Sequence, residues 1–208
     1  MTALPVMSEA KRRAEALRGL AALYAAAPTA EWLARLVPLA RAASDDDPVA
    51  EILAALRDET DLEAAAERLS IEHTRLFGGL QEGYGPPPPY ESLWREGRLM
   101  GETTEAVARA YLAAGYRPSQ EWSPFDHLVE ELLFLASLAN GEHAFAESGR
   151  DDEARWARER RHAFLDRHLL AWVPSYAETI AAEAREPFHR SLARVTALVL
   201  TEDARRAP

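Results

Sequence analysis

The chain has 208 residues, of which 48% are hydrophobic, so it can bury a sizeable core and is not disordered along its whole length. It contains no cysteine, which excludes disulfides, thiolate metal sites and a cysteine nucleophile. Its net charge of −10 at pH 7 disfavours nucleic acid and anionic membranes as partners and favours a basic partner.

The first part of the chain is predicted to be helical. Apolar residues recur at helical spacing in four segments, at about residues 9–26, 29–41, 49–57 and 62–77. Ser8 and Thr29 are candidate N-caps, Pro38 bends or interrupts the second helix, and residues 44–48 form a turn. Glycines at 78 and 79 end the fourth helix.

The segment from 79 to 101 lacks a strong helical period and contains YGPPPPYESLW at 84–94. Four consecutive prolines can form neither a helix interior nor a central strand, so this stretch is stiff and extended. Tyr90 and Trp94 bracket Glu91 and Ser92 just after it. Two interpretations stand side by side: a pre-ordered apolar groove, or aromatic side chains that plug the core. A polyproline ligand for another protein is a third.

The rest of the chain is also predicted to be helical. Ser123, with Pro124 at the first helical position and Asp126 at the third, opens a long, central, buried helix to about residue 148. The other predicted elements are helices at 103–114, 151–171, 175–185 and 187–201, the third starting after Pro174, and an irregular link at 117–124.

These patterns predict an all-α fold of about nine or ten helices in one domain spanning 1–208. Within it, N-terminal helices occupy 1–78, the proline-rich loop 79–101 and C-terminal helices 102–201. The N-terminus lacks a secretion-type apolar run, and LLFLA at 132–136 is far shorter than the roughly 20 residues that span a bilayer. We therefore expect a cytoplasmic protein without stable membrane association.

The chain contains none of the familiar catalytic motifs, and its best metal candidate is DHLVEE at 126–131. Asp126, His127, Glu130 and Glu131 fall within about 140° of one helix face. The alternative is structural: Asp126 belongs to the helix cap, and His127 and Glu131 form an i,i+4 pair. No cofactor is predicted, because a helical di-iron site needs Glu-x-x-His from two helices and no glycine-rich phosphate loop is present.

Five motifs in order resemble the TorD/DmsD/NarJ family of redox-enzyme maturation chaperones. They are Leu76-Phe77-Gly78, PPPPYESLW at 86–94, GETT at 101–104, PFDH at 124–127 and FLDRHLLAWVP at 164–174. The PPYES-type loop is most similar to the branch that serves type II members of the dimethyl-sulfoxide-reductase family. The family hinge often reads E-P-x-D-H, whereas this chain has Ser123 in the place of the glutamate, with Glu121 two residues earlier.

The resemblance implies a non-catalytic protein that binds the twin-arginine signal peptide and the body of a molybdopterin oxidoreductase subunit and delays export until the cofactor is inserted. It maps the peptide-binding surface onto Leu76, Phe77, Pro89, Tyr90, Trp94, Asp126 and His127. It leaves the identity of the client open. We expect a monomer, with domain exchange through the 117–124 link as the alternative.

The residues themselves are consistent with such a receptor, because a twin-arginine signal has a cationic segment followed by an apolar one. We expect an apolar trough of Leu76, Phe77, Tyr90 and Trp94, edged by a solvent-facing acidic rim of Asp126, Glu130, Glu131 and Glu91. Ser92, beside Glu91, is a further expected peptide contact. The competing hypothesis is a helical metal-dependent enzyme that uses Asp126, His127 and Glu130.

Overall fold

Helices make up the regular secondary structure of residues 7–42, 48–79, 84–119 and 124–205, the ranges that the computed structural model describes. In chain order they are α1 (Glu9–Ala25), α2 (Ala30–Ala42), α3 (Pro48–Ala54), α4 (Leu62–Phe77), α5 (Glu91–Glu96), α6 (Glu102–Ala113), α7 (Leu128–Glu147), α8 (Asp151–Phe164), a π turn (Leu165–Leu169), α9 (Leu170–Glu183) and α10 (Pro187–Arg205). This confirms the predicted all-α class. None of these helices is both long and apolar enough to cross a bilayer.

The long helix α7 lies at the centre of the fold, as its sequence predicts. It packs against α1 on one side and α8 on another, while α9 packs against α10. Its first turns are buried all round: Leu128, Leu132 and Leu135 are fully buried, and so are Glu130 and Glu131. One continuous hydrophobic cluster runs from Leu17 in α1 to Leu200 in α10. The two ends of the chain therefore share a core.

Two predicted helix starts are confirmed, and one is wrong. Ser8 caps α1 by accepting the backbone N–H of Lys11 at 3.2 Å, and Thr29 caps α2 by accepting that of Trp32 at 3.2 Å. The long helix α7 begins only at Leu128, with His127 as its N-cap.

The start predicted at Ser123 was too early. Residues 120–123 lie outside the described ranges, and so does the turn predicted at 44–48 apart from Pro48, which begins α3. Asp126 is in a turn rather than at the third helical position. Asp126 cannot join α7 in the predicted way because α5 engages both its backbone carbonyl and its side chain.

The predicted break at Pro174 is also wrong. From Asp151 to Glu183 the chain stays helical, and the irregularity is the π turn at Leu165–Leu169, where Leu170 donates its backbone N–H to the carbonyl of Leu165, five residues back. Pro174 lies inside α9. In a regular helix a proline clashes with the carbonyl four residues earlier. Here that residue is Leu170, where the π turn has already shifted the helical register.

The proline segment packs against the end of α4. Residues 86–89 are neither helix nor strand, as predicted, with Pro86 and Pro89 buried and Pro87 exposed. Gly79 ends α4 with φ of 57°, and a Cβ there would lie 2.7 Å from Cγ of Pro88. A glycine is therefore needed at this position both for its conformation and for the close approach of the prolines. The short helix α5 follows at once and was not predicted.

Candidate functional site

The proline segment and the PFDH segment, far apart in sequence, are joined by backbone hydrogen bonds. Leu128 donates its N–H to the carbonyl of Pro89 at 2.8 Å, Glu91 donates to the carbonyl of Asp126 at 2.8 Å, and Tyr90 and His127 form an antiparallel bridge. We call residues 86–94 together with 125–128 the proline corner. Sequence reasoning selected both segments, and the structure brings them together.

Asp126 is the residue that fixes this corner. Its carboxyl group is fully buried and accepts the backbone N–H of Ser92 at 2.7 Å and the hydroxyl of Thr104 at 3.0 Å. Tyr90, the N-cap residue of α5, makes no side-chain cap bond, so Asp126 supplies the cap from another segment. Asp126 thereby ties the first turn of α5 to the first turn of α6.

Tyr90 and His127 form the outer part of the corner. Tyr90 is half-buried, and its ring centroid lies 4.8 Å from that of His127 in an edge-on contact. Nδ1 of His127 accepts the backbone N–H of Val129 at 3.2 Å. Burial lowers the pKa of His127 to about 3, so this imidazole is neutral near pH 7. His127 is a helix cap and an aromatic contact rather than a cation.

Glu91 and Glu131 lie inside the protein rather than at its surface. Both are fully buried; Glu91 contacts Nδ1 of His168 at 2.9 Å and pairs with Arg95, while Glu131 accepts the indole N–H of Trp172 at 3.3 Å. Burial, and then the negative charge of Glu91, raises the pKa of Glu131 well above its usual range.

The predicted solvent-facing acidic rim is therefore wrong. Asp126, Glu91 and Glu131 are buried as described, and Glu130 is fully buried too, accepting the hydroxyl of Tyr116 at 2.6 Å and the backbone N–H of Ser119 at 3.2 Å. The helical arc in the sequence correctly placed Glu130 and Glu131 on the first turn of α7, a face that Asp126 does not share because it precedes the helix. It could not show that α5, α6 and residues 116–119 cover that face.

The predicted apolar trough is only partly open. Leu76 is fully buried, and Phe77 is a core residue whose ring lies 5.1 Å from that of Tyr24. Trp94 is half-buried, with its ring 5.3 Å from that of Tyr176, and its indole N–H donates to the carbonyl of Pro88 at 3.1 Å. Of the four residues expected to line the trough, only Tyr90 and Trp94 reach the surface.

The two remaining predicted site residues are interior. Pro89 is buried and holds Leu128 through its carbonyl, and Ser92 is buried with its hydroxyl unpartnered. Of the two interpretations of this segment, packing against the core is what the structure shows for Trp94, which is partly buried there. The apolar groove stays a prediction.

The metal hypothesis has no support from this geometry. Within the ranges that the structure describes, no three or more histidine, aspartate or glutamate side chains come together as metal ligands. The three proposed ligands are engaged elsewhere: Asp126 with Ser92 and Thr104, His127 with the backbone of α7, and Glu130 with Tyr116.

Sequence reasoning missed several residues around the corner. Three large apolar side chains on the flanking segments are exposed: Tyr84 at 52%, Leu99 at 44% and Met100 at 74%. They stand in the segment predicted to be a loop, where isolated apolar residues give no periodic signal. His168 was quoted only as part of a motif, although it contacts Glu91 across the core.

Comparison with known proteins gives consistent results. The model of the nitrate reductase delta subunit family matches residues 42–178. A selenate reductase assembly chaperone of Thauera selenatis is 49% identical over 57 residues, which cover 27% of this chain and 28% of that protein. A chlorate reductase assembly chaperone of Ideonella dechloratans is 46% identical over 119 residues, covering 56% and 59%. The matches thus span less than two thirds of these two relatives.

A longer match is to the chaperone protein TorD of Vibrio cholerae, 26% identical over 157 residues, covering 74% of this chain and 69% of that protein. Among solved structures, a redox enzyme maturation protein from Archaeoglobus fulgidus superimposes with a TM-score of 0.56 over 96% of this chain and 98% of that one, at 21% identity. At that identity the likeness shows the fold alone. The three sequence relatives are named as chaperones or assembly proteins, not as enzymes.

Proposed function

The chain belongs to the nitrate reductase delta subunit family, and from that membership we propose that it is an assembly chaperone for a reductase that carries a molybdopterin cofactor. In this proposal it binds the catalytic subunit of its client in the cytoplasm. It keeps that subunit from export until the cofactor is in place, and it performs no chemistry itself.

One observation carries the proposal. The family match over residues 42–178 includes both segments of the proline corner, which hydrogen bonds join into one surface. Two relatives of the chain are named as assembly chaperones, one of a selenate reductase and one of a chlorate reductase. A reductase subunit is therefore the class of client that best fits this chain.

We propose further that the corner receives the twin-arginine signal peptide of the client. Tyr90 and Trp94 are partly exposed, and the prolines just before them stiffen the backbone that carries them. A rigid aromatic surface loses little conformational entropy on binding and suits the apolar part of a signal peptide. Leu99 and Met100, which follow α5 in sequence, are further exposed apolar side chains.

The buried acids have a different role from the one that the sequence suggested. Asp126 and Glu91 do not contact the peptide. They hold α5 in place, and with it the rings of Tyr90 and Trp94. Attraction of the cationic segment then comes from the field of the whole chain, with its net charge of −10. This attraction acts mainly on the association rate and weakens as salt is added.

Isothermal titration calorimetry with the twin-arginine signal peptide of the reductase encoded beside this chain tests the proposal. We expect a Kd in the micromolar range in low salt and a larger Kd at high salt, because slower association weakens binding at equilibrium. A peptide in which both arginines are replaced by glutamine serves as the control. Absence of binding at high micromolar concentration in low salt would remove the signal-peptide part of the proposal.

Replacing Trp94 with alanine should weaken binding of this peptide about fivefold or more, and Tyr90→Ala should do the same. Aromatic anchors at interfaces typically contribute 1 kcal/mol or more, which corresponds to about that factor. Trp156→Ala is the control, because Trp156 is an exposed tryptophan, at 39%, that lies on α8 and not in the proline corner.

The readout is the Kd by calorimetry, with circular dichroism to confirm that each variant is folded. If Tyr90→Ala and Trp94→Ala both bind like the original chain, or if Trp156→Ala weakens binding equally, the corner is not the receptor surface.

A further inference from the structure

A second concave surface lies between α6 and α8, and no residue of the proline corner lines it. The cavity measures about 340 Å³. Its walls are alanines of α6 and α8, and its floor includes Phe134 and Phe164, two buried rings whose centroids are 4.7 Å apart. His168, also buried, lines the inner end. A cavity of this size and lining fits one large apolar side chain.

Three arginines border this cavity: Arg109 on α6, Arg160 on α8 and Arg167 in the π turn. We call the cavity with these three residues the arginine groove. Such a cluster stands out on a chain whose net charge is −10. Its guanidinium groups suit carboxylates, which they can bind through two parallel hydrogen bonds.

Within the described ranges, none of these arginines forms a strong ion pair. Arg160 lies over the ring of Trp156 at 4.9 Å, and neither it nor Arg167 pairs with an acidic side chain within the part of the chain that the structure describes. Arg109 has one contact of 3.4 Å with Glu105, and both side chains are exposed, at 68% and 75%. A contact of that kind contributes little to stability. The charges are therefore available to a partner.

The spacing of the arginines indicates the shape of that partner. Arg160 and Arg167 are seven residues apart, which is about 10 Å along a helix at 1.5 Å per residue. A helical segment with acidic residues two turns apart matches this spacing, and an apolar side chain between those residues would enter the cavity.

We propose that the arginine groove docks an acidic amphipathic helix of a polypeptide partner, with an aliphatic side chain in the cavity and carboxylates on Arg160 and Arg167. The charge of this segment is opposite to that of a twin-arginine signal. In the proposed chaperone, the mature part of the client supplies this acidic segment. That assignment rests on the proposed function, whereas the docking site itself does not.

The test uses two fluorescein-labelled synthetic helices that differ only in charge. Both carry a leucine face, and one has glutamates flanking it seven residues apart where the other has glutamines. In low salt we expect fluorescence anisotropy to show that the glutamate helix binds at least about tenfold tighter. Replacing both Arg160 and Arg167 with alanine should remove that advantage, whereas replacing both with lysine should keep part of it.

The matched control removes two exposed arginines outside the groove, Arg35 and Arg155, and should leave binding of the glutamate helix unchanged. A single-stranded oligonucleotide of equal charge should not compete. The proposal is overturned if the two helices bind alike, if the Arg160→Ala/Arg167→Ala variant binds like the original chain, if neither helix binds at about 1 mM, or if the oligonucleotide competes equally.

Two further measurements separate this docking site from a self-association surface and from the signal-peptide site. Sedimentation of the chain alone tests whether the groove binds a second copy of the chain. If the original chain self-associates and the Arg160→Ala/Arg167→Ala variant does not, a second copy is the occupant. We expect no such difference. The same variant should bind the twin-arginine peptide normally. Failure of the acidic helix to bind is thus distinguishable from failure of the signal peptide to bind.

Discussion

Replacing Asp126 with alanine should lower the free energy of unfolding by about 3 kcal/mol, the largest effect that we expect from a single substitution in the proline corner. The carboxyl group of Asp126 is fully buried and satisfies both the backbone N–H of Ser92 and the hydroxyl of Thr104. Alanine would leave both of these donors without their partner and would remove the cap of α5. Urea unfolding at pH 7 measures the change.

Asp126→Asn separates the cap from the charge. Its amide oxygen can still accept from Ser92, and the hydroxyl of Thr104 can rotate to accept from its NH₂ group. We therefore expect a loss of about 1 kcal/mol or less. The matched control is Asp166→Ala, at an exposed aspartate of the π turn, which should stay within about 0.5 kcal/mol of the original chain.

The same variants decide whether Asp126 meets the peptide. If Asp126 only positions α5, Asp126→Asn should bind a twin-arginine peptide as the original chain does, while Asp126→Ala binds more weakly because Tyr90 and Trp94 are less well held. A fully stable Asp126→Asn that has lost binding would show that the carboxyl group itself recognises arginine. A fully stable Asp126→Ala would show that the cap is unimportant.

Most of the fold could be predicted because helical periodicity is a local property. The stripe in 62–77 predicts α4 with the bounds that the structure shows, Leu62–Phe77, and the apolar circumference after Leu128 predicts that α7 is central. The errors occur where partners distant in sequence decide the outcome. The start of α7 depends on α5, and Pro174 is tolerated because of the π turn before it.

The candidate site was located by sequence, but the roles of its residues were not. The proline segment and PFDH are recognisable as motifs, and their backbones meet. The four acids were expected at the surface because a receptor for a cationic segment needs carboxylates at its edge, and because charged residues are rarely buried unless they are paired. Their partners, among them Ser92, Thr104 and Tyr116, come from other elements, and no local pattern reveals such pairing.

Lowering the pH from 7 to 5 should reduce the free energy of unfolding of the original chain by about 4 kcal/mol more than that of a variant with His127→Asn and His189→Leu. Both histidines are buried, at 5% and 0% exposure, and burial lowers the pKa of each to about 3. Beside His189, the charges of His73 and Arg75 lower its pKa further and that of Glu72 raises it. Neither ring nitrogen of His189 has a hydrogen-bond partner.

Whether stability rises or falls with pH depends on which state, folded or unfolded, binds the proton. The folded-state pKa of each imidazole lies below the ordinary value of 6.5, so as the pH falls below 6.5 the unfolded chain binds protons and the folded chain does not. The stabilising contribution of the neutral imidazoles is therefore present above pH 6.5 and is lost towards pH 3. At pH 5 each histidine accounts for about 2 kcal/mol of the loss.

The two substitutions remove the titrating imidazole groups and are chosen to leave the fold unchanged. Asparagine is a good N-cap residue, so His127→Asn can still accept the N–H of Val129, and leucine fills the apolar site of His189 without burying two unpartnered nitrogens. Each single variant should therefore recover about half of the difference, as measured by urea unfolding at pH 7 and pH 5.

The pH dependence of the original chain alone would not isolate the effect of the two histidines, because Glu131 changes the stability in the opposite direction. Its folded-state pKa is raised by burial, so its contribution to stability increases as the pH falls towards 4.5. That contribution is common to the original chain and to the histidine variants, and it cancels in their difference. A difference below about 1 kcal/mol would mean that the two imidazoles take up protons in the folded state, and that the proline corner opens at His127 under mild acid.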